Sequence, residues 1–210
     1  MLVDLHVHTN ISSRCSSLMP DELVERAMEL GLDAVCVTEH STFRGAQVNF
    51  EYAKEHGFLV FRGMEVYTEL GDMLVIGWEE NIRYYLFPFE DLKREVEQRD
   101  GIIIPAHPCR GVADARHRSK QSISDELLDS VVAIETHNGA MTLKSNEQAE
   151  HLRKKHGLFG TGGSDAREPP CPVRHGLRGG ARQRGGAHRG PARRQVPRLL
   201  LRRHLVQQVV

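Results

Sequence analysis

A chain of 210 residues and 23.7 kDa has room for one domain and a tail, and its 40% hydrophobic content can fill a core. No apolar run approaches the roughly 18 residues that a membrane-spanning helix needs. The net charge of zero conceals a split: residues 1–166 carry 17 Lys and Arg against 27 Asp and Glu, while residues 167–210 carry 11 Arg against the single Glu168. Asp4, His6 and His8 interrupt the apolar start, which speaks against a secretory leader. Cys15, Cys36, Cys109 and Cys171 form no C-x-x-C pair. A zinc ribbon or disulfide framework is therefore not expected, and a reducing cytoplasm is.

The chain then alternates short apolar runs with helical stretches. Residues 2–7 read as a first strand, followed by a helix that opens at Pro20-Asp21-Glu22 and stops at Gly31. Residues 34–38 form a second strand, residues 44–56 a helix ended by Gly57, and residues 58–61 a third strand. Further strands are expected at 73–77, 101–104, 131–134 and 158–160, with helices at 90–99, 124–128 and 146–156, the last ending at Gly157. Strands this apolar suit a parallel sheet covered on both faces. Seven of them, separated by helices, predict a parallel α/β architecture that fits a barrel better than an open sheet.

Polar side chains collect where these strands end: His6 and His8, Glu39 and His40, Glu65, Asp72 just before the fourth strand, then His107, His137 and Asp165. In parallel barrels the C-terminal strand ends share one face, where active sites are built. His6 and His8, two residues apart on a strand, point to the same side. Imidazoles mixed with carboxylates suit Zn, Mn or Fe, and the set exceeds one tetrahedral site. A two-metal centre that hydrolyses a phosphate ester would use all of it.

Asp4-Leu5-His6-Val7-His8-Thr9, Thr38-Glu39-His40, Gly63-Met64-Glu65, Ala106-His107-Pro108 and Gly163-Ser164-Asp165-Ala166 together resemble the motifs of the PHP (polymerase and histidinol phosphatase) superfamily. The resemblance covers residues 1–166. It implies a distorted (βα)7 barrel and a phosphoesterase with two or three Mn, Fe or Zn ions. By motif, His6, His8 and Asp165 resemble the ligands of one metal. Glu65 resembles the carboxylate bridging to a second metal that His107 also binds, and His40 a ligand of a third. Asp4 is expected to orient the His pair. Three departures follow. Ser13-Arg14 stands where the family often has His or Asp, Asp72 where it often has His and so as a substitute ligand, and Arg167 where it usually has a metal-binding His. Arginine stays protonated and cannot ligate, so two metals are expected at most.

Arg110, three residues after His107, is a candidate for a bidentate phosphate contact, and Arg14 for added positive charge. His137 is a candidate general acid, with a lining role left open. The expected substrate is a small phosphomonoester or nucleotide, with a nucleic-acid end as an alternative. From residue 167 on, periodicity stops, and the barrel is expected to be incomplete at that end. The tail at 167–210 resembles an Arg-Gly-Gly RNA-binding tract, which would make the chain a nucleic-acid-binding protein. Its abrupt composition fits translation out of frame better, with little order and a catalytically impaired barrel as a further outcome.

Overall fold

The computed structural model describes residues 1–82, 86–110 and 123–168. The expectations for the tail beyond Glu168 lie outside the described residues. The elements run β1 (Val3–Val7), α1 (Pro20–Glu29), β2 (Ala34–His40), α2 (Arg44–Glu55), β3 (Leu59–Thr68), β4 (Gly71–Ile76), α3 (Phe89–Glu97), β5 (Ile102–Pro105), α4 (Asp125–Asp129), β6 (Ala133–Asn138), α5 (Leu143–His156) and β7 (Phe159–Gly163).

Local chemistry explains most helix ends. Pro20 takes the first turn of α1, and the Glu22 carboxylate accepts from the Met19 N–H at 3.0 Å. Thr142 caps α5 by accepting from the Ser145 N–H at 3.1 Å, so that helix starts three residues before the predicted 146. Gly157, at φ 66°, supplies its left-handed C-terminal cap.

The architecture is mixed α/β with a curled half-barrel sheet. Five strands pair in the order β1-β2-β3-β4-β5, and β6 pairs with β7 in a second ladder. The two are stitched at the β1 edge. Val7 bridges to Ala166, His8 N–H donates to Ala166 O at 3.0 Å, and Asp165 N–H donates to His6 O at 2.8 Å.

The prediction of parallel strands throughout fails at β4. That strand runs antiparallel to both β3 and β5. The cause is local: only Glu69 and Leu70 separate β3 from β4, enough for a hairpin but far short of a parallel crossover. The Thr68 hydroxyl closes the turn by donating to Gly71 O at 2.7 Å, with Gly71 at φ 117°. The third strand also runs well past its predicted end at residue 61, so Glu65 sits within it and Asp72 lies within β4.

Alternation along the strands divides outer packing from inner chemistry. Val35 and Val37 of β2 pack outward with Leu23, Val24 and Ala53 of α1 and α2. Met64, Val66, Met73 and Val75 of the hairpin pack with Phe89 and Leu92 of α3. Burying such side chains stabilises the fold by about 1.5–3 kcal/mol each. The intervening positions, His40, Glu65, Tyr67 and Asp72, face inward on two successive levels, because the register pairs His40 with Glu65 and Tyr67 with Asp72. No helix among the described residues is long and apolar enough to cross a membrane.

Candidate metal centre

Glu65 stands at the middle of a buried ring of donors. Its Oε1 lies 2.9 Å from His107 Nε2 and 3.6 Å from His6 Nε2; its Oε2 lies 3.3 Å from His8 Nε2 and 2.9 Å from His40 Nδ1. Asp165 Oδ1 approaches His6 Nε2 at 3.7 Å and His8 Nε2 at 3.4 Å, and Asp72 Oδ2 approaches His107 Nε2 at 3.8 Å. Three overlapping groups have all their ligand atoms within 4.8 Å of one another: His6/His8/Glu65, Glu65/Asp72/His107 and His6/His107/Asp165. His107 and Asp165 also sit at positive φ, 28° and 52°, the kind of backbone strain found at functional sites.

Two observations fit this set to divalent cations. His6 Nε2 and His8 Nε2 face each other at 3.1 Å, a distance that a shared proton or a cation between the lone pairs relieves. Glu65 Oε2 is buried and accepts no hydrogen bond, although ring nitrogens crowd it. A buried acceptor left unpaired costs about 1–3 kcal/mol, and more when charged, unless a ligand satisfies it. The donor types, imidazole with carboxylate, are those of divalent transition-metal sites.

The electrostatics of these side chains follow from this crowding. Burial disfavours the His6 imidazolium, but Glu65 and Glu135 overcome it and hold the His6 pKa well above its ordinary value. His40 is likewise raised to about 9: burial opposes its charge, and its contacts with Cys15 and Glu65 outweigh burial. Glu65 stays well below the usual carboxylate range despite its burial, because His6 and His107 favour its charged form. Asp72 behaves oppositely. Burial and the nearby Glu65 charge push it up to about 6 against the pull of His107 and Arg110.

Comparison with known proteins agrees with the motifs. Residues 4–154 match the sequence profile of the PHP domain. The chain belongs to the PHP domain family. Among curated relatives, an uncharacterized protein of Methanocaldococcus jannaschii is 28% identical over 127 residues, covering 54% of this chain and 74% of that protein. The error-prone DNA polymerase of Nocardia farcinica is 40% identical over 63 residues, which are 30% of this chain but only 6% of the polymerase. Among solved structures, a Bifidobacterium adolescentis protein assigned as a metal-dependent phosphoesterase superposes with a TM-score of 0.64 at 17% identity, covering 98% of this chain and 96% of that one. A two-domain Bacteroides vulgatus protein, containing a PHP-like domain assigned the same way, superposes at 0.60 and 23%, covering 80% and 52%. At such identities these structures establish the fold.

This PHP chain brings together His6, His8, Glu65, Asp72, His107 and Asp165, with His40 at the rim. Arg110 joins them through Asp165, at 3.2 Å. Two candidates stand apart. Arg14 is exposed, with no hydrogen bond or ion pair to the cluster among the described residues. His137 is also exposed, and its ring contacts Thr136 Oγ1 at 3.0 Å. Asp4 does not touch the imidazoles as expected. Its Oδ1 accepts from the backbone N–H of His6 at 3.1 Å and of Ser164 at 2.9 Å, so it ties the two chain segments rather than the rings.

The ring-orienting carboxylate is Glu135, which the sequence reading passed over. Glu135 Oε1 lies 3.1 Å from His6 Nδ1, and Oε2 accepts from the His107 N–H at 2.6 Å and from Asn138 Nδ2 at 3.1 Å. A carboxylate on the far nitrogen of a ligating histidine fixes its tautomer and aim. Glu39, equally buried, reaches the centre one step removed: it accepts from the Thr9 N–H at 3.1 Å and from the Thr9 and Ser13 hydroxyls, and Ser13 Oγ lies 3.4 Å from His8 Nδ1.

Proposed function

We propose that this chain is a metal-dependent phosphoesterase whose centre holds two divalent ions, Mn, Fe or Zn. His6, His8 and Asp165 would hold one ion, His107 and Asp72 the other, and Glu65 would span both. The observation that carries this reading is the position of Glu65, a member of two donor groups at once with one buried oxygen left without a hydrogen bond. When bound, such ions polarise phosphoryl oxygens and make a nearby water acidic enough to attack at neutral pH. The chain's own residues prepare that step. Glu135, accepting from His6 Nδ1–H, leaves the His6 Nε2 lone pair aimed into the centre, and the same carboxylate holds the backbone that carries His107. Arg110 supplies a guanidinium beside the ligands for a phosphoryl oxygen. Among the described residues no group of three donors forms around His40 for a third ion: its Nε2 has the Cys15 thiol beside it at 3.3 Å, and Arg167, which cannot ligate, is pinned to Asp165. On this reading residues 1–166 form the metal-binding unit of a (βα)7-type barrel, and their excess of acids over bases suits a cation-holding body.

Elemental analysis of purified protein should find about two equivalents of Mn, Fe or Zn, and chelation should abolish hydrolysis of p-nitrophenyl phosphate until metal is restored. Glu65→Ala should lose both metal and activity, since it removes a donor common to both ions. Full activity in chelated protein overturns the reading.

A further inference from the structure

Two guanidinium groups converge on one buried carboxylate. Asp165 Oδ1 accepts from Arg167 Nε at 3.1 Å and Nη2 at 2.9 Å, while Oδ2 accepts from Arg110 Nη2 at 3.2 Å. The arginines come from different parts of the chain, Arg110 after β5 and Arg167 after β7. The Asp165 side chain is fully buried, whereas Arg110 and Arg167 remain 12% and 23% exposed. Their backbones are held firmly. Arg110 N–H donates to His107 O at 3.0 Å, and the Arg167 carbonyl accepts from the Ser17 N–H at 2.7 Å and the Ser16 hydroxyl at 2.9 Å.

Neither group can ligate a metal, because guanidinium keeps its protons and offers no lone pair. What an arginine beside a metal centre can do is hold an anion. Each has five N–H donors. Arg167 directs two of its nitrogens at one Asp165 oxygen, and Arg110 reaches Asp165 through one nitrogen, with its Nη1 3.8 Å from Asp72 Oδ2. Donors on both forks are thus left for a third party at the mouth of the centre.

We propose that Arg110 and Arg167 form a two-pronged clamp for the terminal phosphoryl group of a phosphomonoester, with Asp165 as the post that spaces them. The proposal rests on the phosphoesterase reading above and assigns its substrate class. It also gives Arg167 a role, against the out-of-frame expectation for residue 167: the residue that breaks the metal-ligand motif brings a permanent positive charge to the same place. A monoester presents three non-bridging oxygens and a charge of about −1.5 to −2 at neutral pH. A diester presents two such oxygens and a single charge, too few to pair with two forks and the ions together. Desolvated donors left unpaired cost about 1–3 kcal/mol each, which discriminates against the diester.

The test is calorimetric titration of inorganic phosphate, with dimethyl phosphate as the diester probe, into metal-loaded and chelator-treated protein. Arg167→Gln and Arg110→Gln should each weaken phosphate binding about tenfold, equivalent to about 1.4 kcal/mol, in both forms of the protein. Because both arginines touch the Asp165 ligand, affinities in the metal-loaded form should be compared at equal metal occupancy. Arg167→Lys and Arg110→Lys should fall between wild type and the Gln variants, since they keep the charge but lose the fork. The Lys variants also keep a cation on buried Asp165, so the comparison survives if a Gln variant fails to fold. Dimethyl phosphate should bind at least about tenfold more weakly than phosphate. Unchanged phosphate affinity in folded variants, or diester binding as tight as phosphate binding, overturns the clamp and leaves the metal centre standing. A wild-type chain that retains no metal, yet loses phosphate affinity in the variants, overturns the metal reading and upholds the clamp.

Discussion

Glu135 and His137 are two residues apart on β6 and would share a face in a regular strand. The β6–β7 register shifts between them, so Glu135 turns into the centre while His137 turns out to solvent. In the sequence His137 stands out as a strand-end histidine and nothing marks Glu135, because a bulge leaves no mark in a hydrophobic pattern. The His6-Val7-His8 pair was legible because its two-residue spacing survives in the fold: both rings reach Glu65, although β1 ends at Val7 and its register with β2 shifts between Asp4 and Val7. The consequence is testable at the single residue. Glu135→Gln keeps size but removes the charge that supports His6 and turns one oxygen into an N–H donor facing the His107 N–H or His6 Nδ1. Metal affinity should fall by roughly 10- to 100-fold, as when partners of ligating histidines are lost. Competition with a fluorescent chelator measures this, and His137→Gln should leave the same constant unchanged. Equal affinities for wild type and Glu135→Gln would remove Glu135 from the centre.

At the scale of elements, apolar runs and helix stops located most strands and helices, but not how the strands join. Nothing in the run at 58–61 announced that β3 continues to Thr68, since Arg62, Gly63 and Glu65 interrupt its apolar character. Gly63 and Glu65 belong to the inward face, where Glu65 needs to be, whereas Arg62 turns outward onto Gln47 and Glu79. Glycine at β7 carries a similar message. A Cβ at Gly163 would stand 2.3 Å from His6 Cβ and 2.9 Å from Glu135 Oε1, whereas one at Gly162 would meet His137 atoms no closer than 3.6 Å. Strand β7 therefore lies against the centre only where it lacks a side chain. Gly163→Ala should destabilise the fold by about 1–3 kcal/mol through overpacking and weaken metal retention by displacing His6 or Glu135. Gly162→Ala should do neither. Thermal melts and metal analysis of the pair decide it, and matching results for the two variants would mean that β7 does not press on His6.

For the whole molecule, the cost of gathering so many charged groups appears when the metal is absent. In the chelated protein, protons on His6 and His40 take over the neutralising role of the cations. Both histidines have pKa values raised above the unfolded value of about 6.5, His40 to about 9. A raised histidine contributes stability that is complete below the unfolded pKa and is lost as pH rises through the folded one. Above pH ~6.5 Glu65 and Asp165 are ionised in the unfolded and folded chains alike, and Asp72, raised to about 6, only completes its ionisation there, in the same direction as the histidines, so the carboxylates add little slope. Cys15 acts in the opposite sense: although burial disfavours its thiolate, His40 and Arg167 lower its pKa, and it gains stability as it ionises. One thiol set against two raised histidines leaves the balance with the histidines. The melting temperature of chelated protein should therefore fall between pH 6.5 and pH 9.5, by roughly 2–4 °C for each 1 kcal/mol lost. Metal-loaded protein should show a much flatter profile, because the cations replace the protons and do not leave as the pH rises. Melts of both forms across that range provide the check. A chelated protein that grows more stable toward pH 9.5 would show that its buried carboxylates are not held by histidine protons, and would reverse the electrostatics assigned to the centre.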